Sequence, residues 1–166
     1  GQALAFIDAA AQSGVEIVKF QIHFGESEST KHESFRVQFS KQDKTRSDYW
    51  NRTSFSEEQW ALIKSHCESR GVLFTSSVFS LRALKLLFEL KVDLIKIGSG
   101  DLLNEEFAEA LTDYHGLILL STGLATYSDI EYALRIYDSN RQRGKLILMQ
   151  CTSKYPTPME ESGVNE

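Results

Sequence analysis

Apolar residues in this chain gather into five short runs, and each run closes on polar chemistry. They are residues 15–21 (VEIVKFQ), 72–77 (VLFTSS), 94–99 (LIKIGS), 117–123 (LILLSTG) and 146–153 (LILMQCTS). Short runs rich in Leu, Ile and Val predict strands buried on both faces, as in a parallel sheet covered by helices. Segments of helical period lie between them. Residues 2–12 put Leu4, Phe6 and Ile7 on one face, with Gly14 as the closing glycine. Ser56 and Gln59 form a capping box for a helix that buries Trp60, Ile63 and Cys67 and stops at Gly71. Residues 81–90 turn Leu84, Leu87 and Phe88 inward, and Asn104 caps residues 105–114. Thr126 with Asp129 caps a helix over Ile130, Ala133, Leu134 and Tyr137.

Strict alternation of strand and helix predicts an α/β fold, either a doubly wound sheet or a (β/α)8 TIM barrel. A doubly wound sheet concentrates its chemistry at one switch point. Here every strand end is polar, which favours the barrel, with about five of its β strands present in this chain. No GxGxxG follows the first strand, no Walker loop occurs, and Gly98-Ser99-Gly100 is too short for a dinucleotide fingerprint. Residues 24–54 break the rhythm, being mostly polar and without period. They read as a long βα loop that follows the strand of Lys19 and serves as a lid. The pair Tyr49-Trp50 within it either caps a ligand or anchors the loop.

In parallel α/β architectures ligands sit at the carboxyl ends of strands. Two cations, Lys19 and Lys96, among several hydroxyls there predict a small, oxygen-rich anion bearing phosphate or carboxylate. Composition narrows the field. With 42% apolar and 25% charged residues the chain is of globular type, and a net charge of −5 without a basic block excludes electrostatic recruitment of nucleic acid. No run approaches the roughly 18 residues that cross a bilayer, and no secretory leader is evident, so a cytoplasmic location is expected. Cys67 and Cys151 are expected as two buried thiols rather than a disulfide. The four histidines show no zinc-type spacing.

Five motifs, in order, resemble those of the sialic acid synthase (N-acetylneuraminate synthase) family: 18–21 (VKFQ), 74–80 (FTSSVFS), 96–101 (KIGSGD), 120–124 (LSTGL) and 151–158 (CTSKYPTP). The resemblance runs from Ala9 to the C-terminus, the long loop excepted. It implies a (β/α)8 barrel followed by a small antifreeze-like domain that reaches into a partner subunit, and hence a homodimer. It also implies a transferase of carbohydrate biosynthesis. Such an enzyme condenses phosphoenolpyruvate with an N-acetylated amino sugar such as N-acetylmannosamine, giving a sialic, legionaminic or pseudaminic acid and phosphate.

By the same resemblance Lys19 and Lys96 bind the charged groups of phosphoenolpyruvate, and Ser77, Ser99, Ser121 and Ser153 hydrogen-bond its phosphate and carboxylate. Gln21 and Tyr155 contact substrate, and Asp101 meets the reacting groups. Ser77 stands where threonine is frequent, Asp101 where glutamate is frequent, and Ser153 where some members have asparagine. A divalent metal, Mn2+ or Mg2+, is implied, held by histidines that this chain does not contain, so no metal ligand is assigned and His23 is left as a polar neighbour. Residues 1–166 are expected to be part of one TIM-barrel domain, without its first strand and its last two. Two other readings stand beside the synthase: a Schiff-base aldolase, since a lysine on a barrel strand forms imines, and a non-catalytic barrel remnant.

Overall fold

The computed structural model describes residues 1–35, 37, 38, 40–138 and 146–163, which fall into two compact units, 1–92 and 93–166. The first unit runs α1 (Gln2–Gln12), β1 (Ile17–Ile22), α2 (Gly25–Glu28), α3 (Arg46–Thr53), α4 (Glu57–Ser69), β2 (Leu73–Val78) and α5 (Leu81–Glu89). β1 and β2 pair in parallel, with Lys19 opposite Thr75 and Gln21 opposite Ser77. Gly14 and Gly71 take positive φ of 78° and 71° just beyond α1 and α4, the conformation that a closing glycine accommodates without a Cβ clash. The Ser56–Gln59 capping box forms in full.

The core of this unit lies between β1, β2 and α4. Trp60, Ile63 and Cys67 are buried, and the Trp60 ring meets Phe20 edge-on at 5.8 Å and Phe55 at 5.0 Å. α1 contributes Ile7, fully buried, and is tied to α4 through Asp8, which accepts from His66 Nε2 at 2.8 Å and Arg70 Nε at 2.6 Å. Phe6, expected inward, is 64% exposed, because it sits about 100° around the helix from Ile7. β2 is buried on both faces after Leu73. β1 is not: Ile17, Lys19 and Gln21 are exposed, while Val18 and Phe20 are half-buried and Ile22 is buried.

The second unit runs β3 (Leu94–Ile97), a 3-10 turn (Ser99–Asp101), α6 (Glu105–Ala110), β4 (Leu117–Ser121), α7 (Tyr127–Asp138), β5 (Leu146–Met149) and a second 3-10 turn (Met159–Glu161). β3 pairs with β4 and β4 with β5, all parallel. Asn104 Oδ1 accepts from the Phe107 amide, and three hydrogen bonds join Thr126 and Asp129 at the start of α7. Three expectations change here. α6 ends at Ala110, where residues 112–114 tighten into i→i+3 turns. β5 ends at Met149 because its partner strand stops at Ser121, the last residue paired with it. Leu134 is 38% exposed, whereas Ala133 and Tyr137 close the α7 core.

Residues 24–54, expected as irregular chain, hold α2 and α3. Thr45 caps α3 by accepting from the Asp48 amide at 3.1 Å, and among its residues only Ser47 is buried, so no apolar period betrays it. Ion pairs Arg46–Glu33 and Arg52–Asp43, each 2.7 Å, brace the segment. Gly25 is a close approach: a β-carbon there would stand 2.7 Å from Asn51 Oδ1 and 2.8 Å from the Ser47 carbonyl oxygen.

Candidate functional site

Polar side chains gather at the carboxyl ends of the strands in both units. In the first, β1 and β2 run side by side, and the pleat turns Lys19 and Gln21 to one face. The Lys19 ammonium donates to Ser77 Oγ at 3.5 Å, and among the described residues no carboxylate pairs with it. Ser77 is 5% exposed, beside the fully buried Thr75 and Ser76. An exposed cation over a floor of buried hydroxyls suits an incoming oxyanion. Gln21 Oε1 lies 3.4 Å from His23 Nε2.

In the second unit Lys96 projects from β3 and is 8% exposed. Its ammonium donates to the Ile97 carbonyl at 2.7 Å and to Ser121 Oγ, on the neighbouring strand β4. Ser121 Oγ also accepts from Cys151 Sγ at 3.2 Å. Two residues beyond Ser121 lies Gly123, and here the hydroxyls converge. A β-carbon on Gly123 would lie 2.9 Å from Ser99 Oγ, 2.8 Å from Ser153 Oγ and 3.2 Å from Cys151 Cβ. A side chain at this position would have to turn both serine hydroxyls aside, and its backbone conformation makes no demand for glycine. The result is a small cradle with Ser99 and Ser153 on its rim and the Lys96–Ser121 pair on an adjoining strand. The following residue, Leu124, holds φ of 66° and is 82% exposed, a strained position of the kind found at ligand loops.

Not every expected residue joins this group. The Asp101 carboxylate accepts from Asn104 Nδ2 at 3.3 Å, a bond within its own turn, and not from Lys96. Tyr155 is fully exposed, and the structure brings it to neither cluster. Cys151, expected within a strand and buried, lies past the end of β5 and is half-buried; both cysteines are free thiols. A cleft of about 540 Å³ opens beside Phe24, Asn51 and Arg82, and none of the expected site residues lines it.

The Gly123 cradle was not legible beforehand, and neither was the setting of His23. Trp50 stacks on the His23 ring with centroids 3.7 Å apart, which resolves the Tyr49-Trp50 pair as an anchor for its loop. Among the described residues no group of three or more His, Cys, Asp or Glu side chains comes together as a metal shell would require. The residues present thus do not fit the divalent ion that the resemblance implies. No helix among them is long and apolar enough to cross a membrane.

Parallel strands alternating with helices, with lysines, serines and a glycine-spaced hydroxyl cradle at the strands' carboxyl ends, define an α/β barrel-type protein. The chain belongs to the NeuB family, whose pattern matches residues 6–166. It is 28% identical over 159 residues to the N,N'-diacetyllegionaminic acid synthase of Campylobacter jejuni, covering 93% of this chain and 48% of that protein. It is 33% identical over 152 residues to the N-acetylneuraminate-9-phosphate synthase of Drosophila melanogaster, covering 89% of this chain and 40% of that one. Among solved structures it matches the N-acetylneuraminic acid synthetase of Leptospira borgpetersenii in complex with citrate. The TM-score is 0.79 at 27% identity, over 97% of this chain and 52% of that one. The chain thus spans about half the length of the relatives it matches.

Proposed function

We propose that this chain carries the anion-binding part of a phosphoenolpyruvate-dependent synthase. The enzyme joins phosphoenolpyruvate to an N-acetylated amino sugar of the N-acetylmannosamine kind, giving a sialic acid or related nonulosonic acid and inorganic phosphate. The observation that carries the reading is the Lys96–Ser121 pair beside the Gly123 cradle. Relatives named as synthases of sialic and legionaminic acids support it, as does the Leptospira protein's complex with citrate, another small polyanion.

In this reading C3 of phosphoenolpyruvate forms a bond to the sugar's aldehyde carbon, whose oxygen takes up a proton. Water adds to the cation left at C2, and phosphate departs with the electrons of its C–O bond. Phosphate and carboxylate together bring about three negative charges, which Lys96 and Lys19 offset most strongly where water is scarce. Ser99, Ser121, Ser153 and Ser77 supply directional donors without adding charge. Gln21 and Tyr155 are proposed as sugar contacts and Asp101 as a group near the reacting atoms. A divalent ion finds no first shell among the described residues, so none of these roles runs through it. A homodimer working in the cytoplasm completes the proposal.

The test is sugar-dependent release of phosphate from phosphoenolpyruvate by the full-length protein with Mn2+, run beside the 166 residues alone. The parent is expected to turn over and the 166 residues alone are not. Phosphate release indifferent to the sugar, or a borohydride-trapped pyruvate adduct at Lys19 or Lys96, would replace the synthase with another chemistry.

A further inference from the structure

His23 follows β1 and is held on all sides. Trp50 of α3 and Phe79, just beyond β2, stack on its ring at 3.7 Å and 4.3 Å, each within 10° of parallel. Two rings that near and that parallel cannot share one face, so the imidazole is sandwiched. Its Nδ1 lies 2.6 Å from Glu28 Oε2, while Glu28 Oε1 accepts from the Phe24 amide at 2.7 Å. The two side chains are 12% and 7% exposed. The remaining ring nitrogen, Nε2, faces Gln21 Oε1 at 3.4 Å.

A carboxylate only accepts, so Glu28 keeps a proton on Nδ1 in either charge state of the ring. Everything then depends on Nε2. When protonated it donates to Gln21 Oε1, and the amide presents its two N–H donors to whatever lies beyond. When bare it accepts from the amide nitrogen, and Gln21 turns its carbonyl outward instead. The charged group facing the imidazole is Glu28 of α2. The rings contributed by Trp50 and Phe79, and the β1 amide of Gln21, are neutral.

We infer that His23 is a positioning residue acting through Gln21: it sets which end of that amide meets the sugar, and the proton on Nε2 inverts the choice. The arrangement with donors outward matches an acetamido carbonyl on the substrate. This rests on the proposed reading of Gln21 as a sugar contact.

In the full-length enzyme His23→Phe, which keeps the stack and loses the hydrogen bonds, is expected to raise the KM for the sugar about tenfold, with kcat and the KM for phosphoenolpyruvate little changed. The same substitution should have no further effect once Gln21→Ala is present. Glu28→Gln donates to Nδ1 and leaves the proton on Nε2, so it should leave the KM for the sugar low. Nitrogen-15 spectra of the ring should show Nδ1–H in the neutral wild type and Nε2–H in Glu28→Gln, a readout independent of turnover. A wild-type ring protonated on Nε2 alone, or a His23→Phe penalty that persists in Gln21→Ala, overturns the inference. Expected spectra with no wild-type turnover would instead sink the synthase reading.

Discussion

Lys96 and Ser121 stand on neighbouring parallel strands, and the ammonium of the first donates to the hydroxyl of the second. The pair presents a nearly buried cation beside a neutral hydroxyl. Lys96→Met in the full-length enzyme should lower kcat/KM for phosphoenolpyruvate roughly a hundred- to thousandfold, since a buried anion stripped of its cation loses about 3–5 kcal/mol. Steady-state phosphate release measures this, with circular dichroism confirming the fold. A loss under tenfold would remove Lys96 from the anion site.

Gly123→Ala should injure binding more than folding. The new methyl must push aside the Ser99 and Ser153 hydroxyls, which a β-carbon would approach to within 3 Å. Overpacking of this kind costs about 1–3 kcal/mol in stability. Calorimetric titration with phosphoenolpyruvate should show affinity falling by at least about tenfold, for the same reason. Undiminished affinity would mean that the two serines do not contact the ligand.

The two thiols should react at different rates. Cys67 is fully buried in α4, and burial, aided by the charge of Glu68, pushes its thiol up and keeps it protonated. Cys151 is half-buried. Iodoacetamide at pH 8 should modify Cys151 at least about tenfold faster, by mass spectrometry of timed digests. Phosphoenolpyruvate should slow that reaction, because Cys151 Sγ touches Ser121 Oγ. Equal rates would contradict the burial of Cys67.

Asp43 should contribute to acid unfolding. Its carboxyl is held below the ordinary value of 3.8, chiefly by the Arg52 guanidinium and then by the Ser40 hydroxyl. A lowered folded value means stability that is present above the unfolded value and lost as pH falls through the folded one. Urea midpoints taken from pH 5 down to about pH 2 should therefore fall more steeply for wild type than for Asp43→Asn. Asp8, lowered chiefly by His66, leaves a residual slope in the variant. Identical slopes would show that the Arg52–Asp43 pair is absent in solution.

Much of the architecture was legible from the chain because burial leaves a mark: five apolar runs became five strands, and capping residues at 56, 104 and 126 began helices where expected. α3 stayed hidden because it buries only a serine. Lys19, Lys96, Ser77 and Ser121 were legible as strand-end polar residues. Gly123 was not, since its importance lies in two hydroxyls more than twenty residues distant in sequence. Residue type could not show that Asp101 would spend its carboxylate on Asn104, or that Glu28 would claim one nitrogen of His23.

The β1–β2 register sets Lys19 opposite Thr75 and Gln21 opposite Ser77, with Phe20 on the alternate face against Trp60 and Phe74. Alternate residues take opposite faces, so sliding β1 by one position would drive both polar side chains into the aromatic layer and put Phe20 in water. A one-residue insertion or deletion in this strand is thus a double fault, striking the hydrophobic core and the proposed ligand groups in the same event. The reading frame of the six residues in β1 is thus fixed by two separate demands at once.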